Sequence, residues 1–169
     1  MKLLKEFEWT KVDPEWPVYA RQAVRAIVIR NGRIALVKCG TEGYYKFPGG
    51  GIEPEETQAQ ALIREMLEET GLCIIPTSIR AFGRIRERRE SYINPGTCFL
   101  QDSWYYLAAV DGSRTEPKLE DYEQELDYHL EWAEIEAARE TNLQLGNPET
   151  RSFLLREAFV LDLLRKRDT

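Results

Sequence analysis

Residues 50–72 run Gly-Gly-Ile-Glu-Pro-Glu-Glu-Thr-Gln-Ala-Gln-Ala-Leu-Ile-Arg-Glu-Met-Leu-Glu-Glu-Thr-Gly-Leu, and no other stretch limits fold and chemistry so tightly. From about Glu55 to Thr70 the pattern is helical: Ala59, Leu62, Ile63, Met66 and Thr70 recur at spacings of three and four and share one face. Pro54 with Glu55-Glu56 suits a helix start, and Gly71 suits its end. Glu65, Glu68 and Glu69 then stand at i, i+3 and i+4, opposite the apolar stripe. Like charges so placed repel by a few tenths of a kcal/mol per pair. Two of them occupy the last turn, where the helix dipole disfavours negative charge. Stability alone does not favour such a cluster, whereas a divalent cation reverses the sign of both penalties. Arg64 and Glu56 form a further opposite-charge pair able to hold it in place. The plainer reading is a solvated acidic helix face.

Composition narrows the choice of metal. The chain has one histidine, His129, and three scattered cysteines, Cys39, Cys73 and Cys98. A disulfide framework, a structural zinc site and a His-rich metal centre are therefore disfavoured. Any ion must be held mainly by oxygen, which points to magnesium, manganese or calcium. The net charge of −6 repels long polyanions, so extended nucleic acid is not an expected partner. A small phosphorylated substrate stays compatible if a metal and local basic groups mask its charge. At 169 residues a single domain is expected. No apolar run approaches a membrane span, and the first residues lack the apolar middle of a signal peptide, so a cytoplasmic location is the default expectation.

Around the helix, residues 22–30 read as a strand, Asn31-Gly32 as a tight hairpin turn, and 33–38 as the partner strand. A glycine-rich loop, Phe47-Pro-Gly-Gly-Gly51, follows. Further strands are expected near 72–87, 97–110 and 128–133. An acidic loop, with room for a short helix, is expected over 113–127, and a short helix over 134–139. A last helix opens at Asn147-Pro148 and covers about 148–165. Mixed strands and helices indicate an α/β fold.

Gly50, Glu56, Arg64, Glu65, Met66, Glu68, Glu69, Gly71 and Leu72 together resemble the Nudix box at every defined position and gap. A chance match is roughly 10⁻⁸ per starting position from average residue frequencies. Phe47-Pro48-Gly49-Gly50 also resembles that family's lead-in. The resemblance to Nudix hydrolases implies an α/β/α sandwich with a mixed, mostly antiparallel sheet. It implies hydrolysis of a diphosphate linkage in a small nucleotide-like substrate, with Mg2+ or Mn2+ as cofactor. Carried over by residue, Glu68 and Glu69 are the principal metal ligands, and Glu65 a ligand or the water-activating group. Arg64 and Glu56 are the orienting pair, and the carbonyl of Gly49 or Gly50 a backbone ligand. Some members recruit a proton acceptor from a later loop, where Glu123 and Glu125 are candidates against a reading as solvated charges. One departure is Glu55, where relatives often have glycine.

Substrate contacts are less determined. Arg84, Arg86 and Arg88 alternate within an expected strand and share a face that could grip phosphates, or be a charged outer surface. Tyr44, Tyr45 and Trp104 could stack on a base or be core, and Lys46 and Arg25 are further candidates. Residues 86–89 hold no proline of the ADP-ribose type, Tyr92 lies slightly beyond the dinucleoside polyphosphate position, and the coenzyme A lead-in is missing. A nucleoside triphosphate and a nucleotide-sugar-like diphosphate both stay open, as does a homodimer. The rival is a catalytically silent nucleotide sensor on the same fold. An isomerase needs more histidine than the chain has, and neither a Gly-x-Ser-x-Gly elbow nor a P-loop is present.

Overall fold

In the computed structural model, which describes residues 1–166, Asn31 and Gly32 both adopt positive φ (51° and 73°), the backbone that a two-residue hairpin demands. The hairpin is shorter than the sequence suggests. Only β3 (Ile29–Arg30) pairs with β4 (Arg33–Cys39) across it. The preceding β2 (Val18–Ile27) starts four residues earlier than expected and pairs in parallel with β8 (Cys98–Leu107). The strand breaks at Val28, where the chain passes from one sheet to another.

Two four-stranded sheets result. One has the order β1-β7-β8-β2, with β1 (Leu3–Glu8) at its edge and β7 (Arg80–Glu90) inside. The other has the order β10-β4-β3, with β5 (Tyr45–Lys46) also on β4 and β10 spanning Tyr128–Ala133. A small pair joins β6 (Leu72–Ile74) to β9 (Val110–Arg114). Five of the seven described pairings are antiparallel and two parallel, a mixed arrangement.

Helices cover both faces. From one side α1 (Gln58–Thr70) packs Ala61, Leu62 and Met66 onto Val24, Ala26, Val28 and Ala35. From the other, α4 (Ser152–Arg165) packs Val160, Leu161 and Leu164 onto Ile27, Ile34, Leu36, Ile85 and Tyr105. In β4, Ala35 faces α1 while Ile34 and Leu36 face α4, the alternation of a strand covered on both sides. Full burial of each such aliphatic contributes about 1.5–3 kcal/mol. The layers are helix, sheet, helix. No helix among the described residues is long and apolar enough to cross a membrane.

Several boundaries differ from the sequence expectation. α1 begins at Gln58, because Thr57 caps it and forms a reciprocal capping box with Gln60. Pro54, Glu55 and Glu56 belong to the preceding turn, and Ala59 is exposed where Ala61 takes the core place. α3 runs to Leu145 from Ile135, well past residue 139. The last helix starts at Ser152, because the Asn147 carboxamide oxygen accepts from the Glu149 and Thr150 N–H groups and holds a separate turn. Within 113–127, β9 extends to Arg114 and α2 occupies Asp121–Glu125.

Glu55 sits at φ 66°, a left-handed conformation that penalises a side chain by roughly 1–2 kcal/mol. Its position is the one where Nudix boxes often have glycine. Glu55→Gly is expected to leave stability equal or to raise it by up to about 1 kcal/mol, glycine's unfolded-state entropy offsetting part of the relief. Urea unfolding reads this, and a loss above about 0.5 kcal/mol would contradict the strain assigned to the turn.

Candidate active site

The end of α1, the Gly49–Gly51 loop, the inner end of β2 and α2 enclose a cavity of about 200 Å³. Glu65, Glu68 and Glu69 line it with Gly49, Gly50 and Gly51; so do Arg21, Arg25, Lys118, Glu120, Tyr122 and Glu123. The helix ends where it does because Gly71 takes the left-handed cap at φ 72° and its N–H bonds the Leu67 carbonyl. The Lys118 N–H takes the Glu68 carbonyl at 2.8 Å, tying the loop before α2 to the same helix end.

The three acids have unlike surroundings. Glu69 is 3% exposed, accepts from the Gly49 N–H at 2.7 Å and from Lys46 Nζ at 2.6 Å. The sequence placed it on a polar face, but the strand and loop beside α1 bury it. Burial pushes its pKa above the usual carboxylate range, against the pull of Lys46 and the Gly49 N–H. Burial opposes the Lys46 ammonium too, yet Glu69 prevails and that pKa is raised. The Glu65 carboxylate packs directly on Gly50, where an added Cβ would come within 2.5 Å of both its oxygens. Burial raises its pKa as well. Glu68 is the most open of the three.

Arg64 organises the cluster. Its Nε and Nη2 grip both oxygens of Glu56 at 2.8 and 2.9 Å, its Nη1 reaches Glu65 at 2.9 Å and Glu68 at 3.1 Å, and Nη2 also donates to the Gly51 carbonyl. The grip on Glu56 raises the pKa of Arg64, and the same bond lowers that of Glu56.

The donor set suits a hard divalent cation: carboxylates and glycine backbone in one concave, polar cavity. Five carboxylates face three cations in its lining, an excess of negative charge that such an ion offsets. The acids are not gathered around a point, however. Among the described residues no three His, Cys, Asp or Glu side chains converge as a ready ligand cage. Arg64 and Lys46 stand between them. The Gly49 carbonyl accepts from Arg25, and the Gly50 carbonyl from the Val24 N–H at 3.0 Å.

The other expected residues divide. Arg25 lines the cavity, 8% exposed, with its Nε buried and unpartnered. Lys46 lies just behind it, 3.7 Å from Glu123. Glu123 lines the cavity, but its carboxylate also accepts from the Glu120 N–H at 3.0 Å and the Tyr122 hydroxyl at 3.0 Å. Glu125, on the same short helix, is exposed and outside the lining. Arg84, Arg86 and Arg88 share a face as expected but not this cavity: Arg84 and Arg86 pair with Asp102 and Arg88 with Glu8. Tyr45 is core, donating its hydroxyl to Glu131 at 2.8 Å, and Tyr44 bonds Tyr128. Trp104 stands by Arg84 and bonds Gln22 at 2.6 Å.

Sequence reasoning missed Arg21, Lys118, Glu120 and Tyr122 as cavity residues. Arg21 had a findable signal, since Arg21, Ala23 and Arg25 alternate once β2 is extended to Val18. Burial, then the charges of Arg25 and Arg156, push the Arg21 guanidinium's pKa down. Its bonded partner is the neutral Gln101 at 3.4 Å, and neither Arg21 nor Arg25 hydrogen-bonds a carboxylate, although the Arg25 charge helps to lower the pKa of Glu65 and Glu69 against their burial.

A family model described as NUDIX domain matches residues 20–156. The CTP pyrophosphohydrolase of Escherichia coli K12 is 42% identical over 55 residues, 30% of this chain and 41% of that protein. An RNA pyrophosphohydrolase of Hydrogenovibrio crunogenus is 36% identical over 61 residues, 36% of each chain. The match thus spans less than half the length of either relative. Among solved structures, a NUDIX hydrolase from Nitrosomonas europaea superposes with a TM-score of 0.60 at 21% identity, covering 88% of this chain and 91% of that one. The E. coli ORF135 protein does so at 0.51 and 23%, covering 86% and 91%. At such identities these structures establish the fold.

Lys46→Met strips the buried Glu69 of its cation and is expected to cost about 3 kcal/mol at neutral pH. In the variant the folded-state pKa of Glu69 lies above its unfolded value, so the folded state binds more protons and stability falls as pH rises past the ordinary glutamate range of about 4.3. Urea unfolding at pH 5 and pH 8 should show a wider gap from wild type at pH 8; an equal gap would refute the pairing.

Proposed function

Because the chain belongs to the Nudix domain family, matched over residues 20–156, we propose that it hydrolyses a diphosphate linkage in a small nucleoside di- or triphosphate derivative, with Mg2+ or Mn2+ as cofactor. The observation that carries this is one cavity lined both by Glu65, Glu68 and Glu69 and by Arg21 and Arg25, whose guanidiniums hydrogen-bond no carboxylate. Acids alone would repel a diphosphate, and arginines alone would bind it without hydrolysis.

Glu65, Glu68 and Glu69 would hold the ion, which when bound supplies charge neutralisation at phosphorus and a more acidic water. Arg21 and Arg25 from β2, and Lys118 from the loop beside Glu68, grip non-bridging phosphate oxygens, and the forked guanidinium suits two oxygens at once. Phosphoryl transfer depends mainly on positioning and charge stabilisation. The attacking water gives its proton to a carboxylate of the cavity, and Glu65, Glu120 and Glu123 are within its lining. Glu123 is the most restrained of these, by Lys46, Tyr122 and the Glu120 N–H. Arg64 and Glu56 act through the acids, as positioning residues. The reaction fits a reducing cytoplasm, consistent with three free thiols.

A panel of nucleoside triphosphates and nucleotide diphosphate conjugates, assayed with magnesium or manganese and resolved by product analysis, tests the reading. Tight nucleotide binding without products would replace hydrolysis with sensing. Glu68→Gln removes an open carboxylate with little structural role, so the fold should persist while metal-dependent turnover drops by at least about 100-fold. Wild-type rates in that variant would sink the site assignment.

A further inference from the structure

Arg21 and Arg25 are not the only arginines whose guanidinium bonds no carboxylate. On β7, Arg89 has a buried Nε with no partner, and its Nη1 donates only to the neighbouring Glu90 carbonyl at 2.9 Å. Its guanidinium lies 3.4 Å from the ring centre of Tyr92 and 4.3 Å from that of Phe99. Tyr19 continues the stack, its ring 6.0 Å from Phe99 and tilted by 28°. Tyr19, Arg89, Tyr92 and Phe99 line a second cavity of about 340 Å³, with Ser91 and Asn94 at its rim.

Strand register connects this cavity to the first. Phe99 stands opposite Tyr19 on β2 and Arg89 on β7, and Gln101 opposite Arg21 and Glu87. These are successive rows of one sheet face, about 7 Å apart along the strands. Moving outward along β2, that face presents Arg25, Ala23, Arg21 and then Tyr19. Arginines that lead from the carboxylates therefore end at a row of rings. Tyr19 is 59% exposed and Tyr92 46%, although the ordinary place for a large ring is the core. The slot is also built rather than loose: the Tyr92 hydroxyl is fastened to Ser152 Oγ at 3.0 Å, at the start of α4.

We infer that the Tyr19–Phe99–Arg89–Tyr92 cavity receives the nucleobase of the substrate, as a planar heteroaromatic ring whose phosphates run back along Arg21 and Arg25 to the glutamates. The inference rests on the diphosphate-hydrolase reading and adds to it the side of the cleft on which the base lies. Exposed rings stack on a base face without needing a particular edge, and a guanidinium between them adds a cation to that stack. Such a site favours substrates with a base over those without, and discriminates weakly between bases. On the opposite face of the same sheet the arginines are bonded to acids instead, Arg84 and Arg86 to Asp102 and Arg88 to Glu8.

The test is calorimetric binding of the four nucleoside 5′-monophosphates against ribose 5-phosphate, which needs no turnover. In the wild type at least one nucleotide should bind roughly tenfold tighter than the sugar phosphate. Tyr19→Ala, chosen because that ring is largely exposed, and Arg89→Met should collapse this ratio to within about twofold and raise KM for the preferred triphosphate more than they change kcat. Arg88→Gln, on the opposite face, should keep the ratio. Equal binding of nucleotide and sugar phosphate in the wild type overturns the inference, as does an unaltered ratio in both variants. A dimer that Tyr19→Ala turns into a monomer without touching the ratio also overturns it, and assigns the rings to contact between copies. Base preference with no hydrolysis of any diphosphate keeps this subsite and sinks the hydrolase reading instead.

Discussion

The loop from Phe47 to Gly51 is clamped by two buried glutamates that come from opposite helical layers. Glu157 of α4 accepts the Phe47 N–H at 2.9 Å, and Glu69 of α1 accepts the Gly49 N–H at 2.7 Å. Pro48 between them has no N–H to satisfy. The carbonyls of Pro48 and Gly50 accept from Ala26 and Val24 of β2 at 2.8 and 3.0 Å, so donors and acceptors along the loop are taken in turn. Charge-assisted bonds of this kind are the stronger class, and each acid has its own buried cation: Lys46 for Glu69 and Arg156 for Glu157. Arg156 continues to Glu87 on β7 at 3.0 Å. The glycine backbone beside Glu65 is thus fixed from both sides of the sheet, and it places Gly49, Gly50 and Glu69 in the cleft.

Very little of that clamp is visible in the sequence, and the reason is range. The helix of the Nudix box was legible because its signal is local: periodicity, a glycine stop and a fixed spacing of acids lie within one stretch of chain. The hairpin at Asn31-Gly32 was legible for the same reason. Glu157, however, meets Phe47 across 110 residues, and a glutamate next to an arginine on a late helix reads as surface. The parallel pairing of β2 with β8 was likewise invisible, and with it the outward extension of β2 to Val18 that puts Arg21 in the cleft. Helix ends failed where side chains chose another bond: Asn147 caps a turn and not the helix, and Thr57 claims the start that Pro54 and the acidic pair suggested.

The arginines show a different limit. Alternation says which residues of a strand share a face, but not which face meets the site. Arg84, Arg86 and Arg88 do share one, and it is the face where Asp102 and Glu8 neutralise them. The odd-numbered positions of β7 point the other way: Ile85 into the α4 core, Glu87 to Arg156, and Arg89 into the stacked rings. A shift of one residue separates an arginine that serves a surface ion pair from one left without an acid. Only the packing of α3 and α4 against the sheet decides between them.

That distinction moves the weight of the functional argument. From the sequence, three carboxylates at the end of a helix look unstable without an external cation. In the structure Arg64 and Lys46 already stand among them, so part of the repulsion within the cluster is offset inside the chain, although the carboxylates of the lining still outnumber its cations. A second demand comes from the arginines of the same cavity. Arg21 and Arg25 are crowded together, held by a carboxamide and a carbonyl, with one guanidinium nitrogen unpartnered. Arg25 is buried and acts on Glu65 and Glu69 only through space, while Arg21 is exposed, so phosphate oxygens that bond both guanidiniums directly would improve on the carboxamide and the carbonyl they now use. A diphosphate supplies such oxygens, and brings with it further negative charge that makes a divalent ion beside Glu65, Glu68 and Glu69 more favourable still. Acids and arginines in one cavity therefore make sense together, as parts of a site completed by a substrate and an ion of opposite sign.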